Sequence, residues 1–219
     1  MAVAEPPSYF PRLIEDEVYY CGFTSPKSYG ATSYFIRRQD GNWLTDSPRF
    51  NEHLVERFEA MGGLRYIFLT HRDDVADADL YAQRFGARRV IHEDDLAADP
   101  GAEIVVRGRD PLELAAGFTI IPVPGHTRGH CVLLHGKFLF TGDHLWGDDS
   151  GRSLEAGSDY CWYDWAEQTR SMELLQQRRF EWVLPGHGRR IKLSADRMQA
   201  ELAELIGRMK LPPRLDQRV

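Results

Sequence analysis

The chain has 219 residues, 42% of them hydrophobic and 27% charged, with 33 acidic side chains against 27 basic ones and a net charge of −6. That length supplies one sizeable core, and the acidic balance argues against a nucleic-acid binder, which needs a basic face to neutralise phosphates. Three cysteines (Cys21, Cys131, Cys161) are odd in number, widely spaced and without a C-x-x-C pair, so neither a disulfide framework nor an iron–sulfur site is expected. The opening MAVAEPPSYFPRL lacks the basic start and apolar run of a secretory signal. No stretch approaches the ~20 apolar residues that span a bilayer. The expectation is a single cytoplasmic domain over residues 1–219, without membrane or nucleic-acid partners.

In chain order, Glu17–Tyr20, Ser33–Arg37 and Asn42–Thr45 read as strands, the last two joined through Asp40-Gly41, a strong hairpin signal. Residues 50–61 place Phe50, Leu54, Phe58 and Met61 on one helical face that ends at Gly62-Gly63. Arg65–Thr70 reads as a buried strand, Asp77–Phe85 as a helix stopped near Gly86, and Arg89–Ile91 as a strand. In the second half, Phe118–Val123, Cys131–Leu134, Phe138–Thr141 and Phe180–Leu184 read as strands. Helices are expected from Trp165 to Gln177 and after a Ser194 cap, the latter with Leu202, Leu205, Ile206 and Met209 on one side. Two halves of strands with helices after them point to a layered α/β/β/α sandwich.

The histidines cluster where strands end. His71 follows YIFLT, His126 and His130 sit in PVPGHTRGH, Asp143 and His144 in FTGDHLW, and His187 in LPGHG. Loops at strand ends are where a scaffold presents functional groups, and His with carboxylate is a ligand set for zinc, iron or manganese. Glycines beside them permit tight turns and close backbone approach. His53, His92 and His135 read as surface groups. Asp74 and Asp77 read as solvated acids at a helix start, where the dipole favours them without any metal.

The series THRDD, PGHTRGH, FTGDH and LPGHG resembles the metallo-β-lactamase superfamily, whose members carry H-x-H-x-D-H, then a PGHT-x-GH loop, a TGD loop and a PGHG loop. The resemblance implies a four-layer αββα sandwich over nearly the whole chain. It also implies ligand roles for His71, His126, Asp143 and His187, and a structural hydrogen-bonding role for His130. The opening motif departs from the family: the second His falls on Asp73, the Asp on Val75 and the last His on Ala76. Neither Val75 nor Ala76 can ligate. The expectation is therefore one divalent ion, zinc or iron, held by His71, His126 and a carboxylate, Asp143 or Asp73.

One such ion supports hydrolysis of an ester, thioester or lactone, with Asp73 or Asp74 as general base. Two other readings stay open: a mononuclear iron enzyme of persulfide-dioxygenase type, and a metal-free, non-enzymatic member. With 32 residues after His187, the helical substrate domain of a glyoxalase II is not expected. Substrate selection is expected in residues 147–165, with Arg152 meeting an anionic small-molecule substrate and Tyr160 and Tyr163 lining its pocket, together with Trp162 and Trp165. The alternative is that these rings pack the following helix onto the sheet. Cys161 reads as a small buried hydrophobe.

Overall fold

A computed structural model describes residues 9–211. Most of the opening segment read for a targeting signal, residues 1–8, lies outside that range. The chain comprises two compact units, residues 1–108 and 109–219.

In the first unit seven strands form one sheet in sequence order: β1 (Arg12–Glu15), β2 (Val18–Tyr20), β3 (Tyr34–Ile36), β4 (Trp43–Thr45), β5 (Tyr66–Phe68), β6 (Arg88–His92) and β7 (Ile104–Val106). The pairs from β1 to β4 are antiparallel. Those from β4 to β7 are parallel. Parallel neighbours need crossovers, and helices α1 (Glu52–Ala60) and α2 (Ala78–Phe85) supply two of them. Asn51 caps α1 by accepting from Leu54 N at 2.9 Å. Leu54 and Phe58 of α1 and Tyr81 of α2 pack on Phe35, Leu44, Ile67 and Ile91 of the sheet, with the Phe35 and Phe58 rings stacked at 4.8 Å. Phe50 and Met61 are partly buried against the same core.

The second unit has a six-stranded sheet in the order β15-β14-β11-β10-β9-β8 and a separate ribbon, β12-β13. The strands are β8 (Leu112–Ala115), β9 (Phe118–Pro122), β10 (Cys131–His135), β11 (Phe138–Gly142), β12 (Trp146–Gly147), β13 (Leu154–Glu155), β14 (Trp182–Pro185) and β15 (Ile191–Lys192). Helices α3 (Trp165–Leu175) and α4 (Ala195–Met209) cover Ile121, Val132, Leu139 and Val183 with Met172, Leu175, Leu202 and Ile206. Ser194 caps α4 as its sequence signals. Burial of each large aliphatic side chain is worth roughly 1.5–3 kcal/mol, so α4 is held mainly by its apolar stripe.

This topology decides where the chemistry lies. Strands β11 and β14 run parallel with Gly142 opposite Pro185, so the residues that follow them, Asp143 and His187, emerge at one edge. Strand β10 runs antiparallel to β11, which brings the β9–β10 loop bearing His126 and His130 to that same edge.

Candidate metal centre

In the first unit the chain leaves β5 through Leu69 and Thr70. Thr70 N donates to Asp46 Oδ1 at 2.8 Å, and the Thr70 hydroxyl lies 3.0 Å from the same oxygen. Because a carboxylate only accepts, the hydroxyl proton points to Asp46 and the hydroxyl oxygen accepts from His71 Nδ1 at 2.9 Å. The lone pair of the His71 ring then resides on Nε2, and the ring is fixed from behind, as outer partners fix metal-binding histidines. Asp46 and Thr70 escaped the sequence reading. Asp46 directly follows the strand WLT, so the rule that flagged His71 and Asp143 reaches it as well.

After His71 the chain forms a short 3-10 turn, Arg72–Asp74. His71, just before the turn in extended backbone, and Asp74, at its end, are both fully buried. Asp74 is therefore not the solvated acid expected. Asp73 is half-exposed, with Oδ2 3.8 Å from His71 Nε2. Asp77 is also buried, against expectation. It accepts from Lys27 Nζ at 2.5 Å and Phe50 N at 2.8 Å. Burial opposes ionisation of Asp77, but those two donors outweigh it and hold its carboxyl below the ordinary range. Val75 joins the core and Ala76 adopts a left-handed backbone, φ 42°.

In the second unit Asp143, His187, His126 and His130 are brought together. His187 N and Nδ1 lie 3.1 and 2.8 Å from Asp143 Oδ1. The other carboxylate oxygen is 3.7 Å from His126 Nε2. His126 Nδ1 donates to the Tyr160 carbonyl at 2.5 Å, which places that ring's lone pair on Nε2. His130 Nε2 accepts from Asp143 N at 3.3 Å. His144 is fully buried behind His130, 5.5 Å between ring centres, and neither of its ring nitrogens has a hydrogen-bond partner among the described residues. Burial, with His126 adding to it, pushes its pKa down to about 3, so it is neutral.

The loop before α3 is sewn to the His126 loop. Trp162 N donates to His126 O at 2.9 Å, while Tyr163 N, Asp164 N and Cys161 Sγ all reach Gly125 O. A Cβ on Gly125 would stand 2.3 Å from Gln168 Cβ, so only glycine lets this loop rest on α3. Cys161 is half-buried and spends its thiol on that carbonyl, a correction to the buried hydrophobe expected. Tyr160 and Trp165 line a cavity in this unit, whereas Arg152, Trp162 and Tyr163 are exposed and do not line it. His92 and His135 are buried, not surface groups. Each spends a ring nitrogen on a backbone carbonyl, His92 Nε2 on Gly108 O and His135 Nδ1 on Gly117 O, which makes burial affordable. His53 is half-buried with Nε2 2.8 Å from Phe10 O.

The metallo-beta-lactamase superfamily model matches residues 29–187. The chain belongs to the metallo-β-lactamase superfamily. Among solved structures, the metallo-β-lactamase FIM-1 from Pseudomonas aeruginosa in its mono-zinc form aligns at 16% identity and TM-score 0.67, over 91% of this chain and 95% of that one. TTHA1623 in a di-iron-bound form aligns at 23% identity and TM-score 0.61, over 84% and 96%. The fold is thus the α/β metallo-β-lactamase type that the motif series implied. The hydroxyacylglutathione hydrolase of Photorhabdus laumondii is 30% identical over 116 residues, 51% of this chain and 46% of that protein. Across such relatives the matched part covers between 24% and 46% of their length. No helix among the described residues is long and apolar enough to cross a membrane.

Proposed function

We propose that the protein is a metal-dependent hydrolase in which one divalent ion, zinc or iron, is held by His71, His126 and Asp143. The observation that carries the reading is the His126–Asp143 pair. Its 3.7 Å gap is too long for a hydrogen bond. It is close to the ~3.3–3.5 Å that separates two ligands about 2.0–2.1 Å from a shared tetrahedral ion. The donor chemistry supports the same reading, since both imidazoles carry their lone pair on Nε2 and the Asp143 carboxylate is steadied by the main-chain and side-chain N–H groups of His187. Bound there, a divalent ion supplies an activated water and polarises a substrate carbonyl.

The remaining roles fall to the chain's own side chains. Asp73, half-exposed beside His71, takes the proton from the attacking water and passes it to solvent. Asp74, buried at the end of the turn, is the second candidate for that role. His187 steadies Asp143 and is available as a further ligand. His130 orients the Asp143 loop through its main-chain N–H. Arg152, Tyr160 and Tyr163 remain the side chains assigned to the substrate. The similarity to proteins named for hydroxyacylglutathione hydrolysis favours an acyl-thioester as the small-molecule substrate class.

The test is thioester hydrolysis by protein reconstituted with zinc and, separately, with iron. Activity that depends on the ion, disappears in His126→Ala and drops by about 10²–10⁴ in kcat in Asp73→Asn supports the reading. Full activity in His126→Ala would refute it.

A further inference from the structure

The second unit holds a cavity of about 540 Å³ that none of the metal-donor side chains lines. Its walls come from the β12–β13 ribbon, the turn at Tyr160, the start of α3 and the last turn of α4. Three aromatic rings face it: Trp146, Tyr160 and Trp165. Trp146 and Tyr160 meet edge to face at 6.2 Å and 77°, forming a corner. Gly157 permits that corner, because a Cβ there would stand 2.9 Å from the Tyr160 ring. Trp165 spends its only polar group on Met209 O at 3.1 Å, so it offers the cavity only π-surface and apolar edge.

The charges on the wall are unequal. Asp148 is a fixed anion: the Ser150 hydroxyl and the N–H groups of Ser153 and Arg152 hold its pKa down to about 2. The exposed Glu155 carboxylate makes no hydrogen bond or ion pair among the described residues. Among the described residues the single cation on the wall, Arg208, already donates to Leu154 O at 2.7 Å. Aromatic faces are electron-rich, and a site that combines them with carboxylates suits a cation whose charge is spread over alkyl groups. An anion would meet two carboxylates and one committed guanidinium.

We infer that this cavity binds a small organic cation of the alkylammonium or quaternary ammonium class. No metal-donor side chain takes part, although Tyr160 is shared with the side chains assigned to the hydrolase substrate. The two sites are nonetheless linked through their scaffolding. Trp146 lies against Gly188, next to His187, where a Cβ would approach Trp146 Cγ to 2.6 Å, and the Tyr160 carbonyl holds His126.

The test is a titration of the full chain with butyltrimethylammonium chloride at constant ionic strength. The indole N–H resonances of the five tryptophans report binding, assigned with Trp146→Phe and Trp165→Phe. The expected result is a saturable shift of the Trp146 and Trp165 signals and no response to butyrate. Glu155→Gln, on the solvent side of the wall, should weaken binding about threefold without disturbing the fold, and Trp165→Leu about tenfold. Absence of a saturable shift, a stronger response to butyrate, or unchanged affinity in Glu155→Gln would overturn the assignment.

Discussion

Replacing Gly125 by alanine probes the coupling of packing to ligand position. Gly125 has φ 157°, and a Cβ there would stand 2.3 Å from Gln168 Cβ, 2.5 Å from its Cα and 2.8 Å from its N. Ordinary contact begins at 3.4 Å, so the loop or the helix must give by about an ångström. The obstacle is the backbone of α3 at a fully buried residue, so the lighter element, the loop, is the one that yields. Overpacking of this kind costs about 1–3 kcal/mol. Weakening the bonds that Gly125 O accepts from Tyr163 N, Asp164 N and Cys161 Sγ adds about 1 kcal/mol more.

We therefore expect Gly125→Ala to lose about 2–4 kcal/mol in urea denaturation of the metal-free protein. His126 is the next residue, and a metal site tolerates only about 0.2 Å of ligand displacement. Zinc affinity, measured by chelator competition, should fall by about 10- to 100-fold. Gly136→Ala is the control. Its φ of 54° carries strain, but no atom lies within 4 Å of the added carbon. It should cost about 1 kcal/mol and leave zinc affinity unchanged. Wild-type stability and affinity in Gly125→Ala would refute the claim that this loop is wedged on α3.

Thr70→Val removes the hydroxyl between Asp46 and His71 while keeping its shape, and metal affinity is expected to drop by about 10- to 100-fold; an unchanged value would remove Thr70 from the outer shell. His144→Leu deletes two buried ring nitrogens that have no hydrogen-bond partner among the described residues and should raise stability by about 1–2 kcal/mol in denaturant titration. A comparable loss would show that the imidazole is satisfied in solution. Asp148 has a folded pKa depressed from 3.8 to about 2, so its contribution is complete above pH 4 and is lost as pH falls toward 2. Asp148→Asn should remove that contribution above pH 4 and flatten the stability profile within the window; a profile that keeps its wild-type slope contradicts the loop assignment.

The strand-end placement of His126, Asp143 and His187 was legible because glycines flank them, and that of His71 because it directly follows the strand YIFLT. Helices α1, α2, α3 and α4 were legible through period and caps. Strands β1 and β8 were not: they are four residues long and largely exposed, so no apolar alternation marks them. The Tyr160 carbonyl that fixes His126 could not be read from sequence at all, since every residue carries a carbonyl. Asp74 was misjudged because it was read as a solvated acid at a helix start, whereas it ends a short 3-10 turn and is fully buried. His92 and His135 are buried because loop carbonyls accept from their rings, and nothing in the sequence forecasts those partners.

The central claim is a single metal ion that depends on His126. Elemental analysis of protein dialysed against zinc or iron, then freed of unbound ion, tests it most directly, with His126→Ala and His130→Ala alongside. The account predicts about one ion per chain for the native protein, near zero for His126→Ala, and retained metal with lowered stability for His130→Ala. No ion in the native protein, or equal metal content in the His126 and His130 variants, would contradict it.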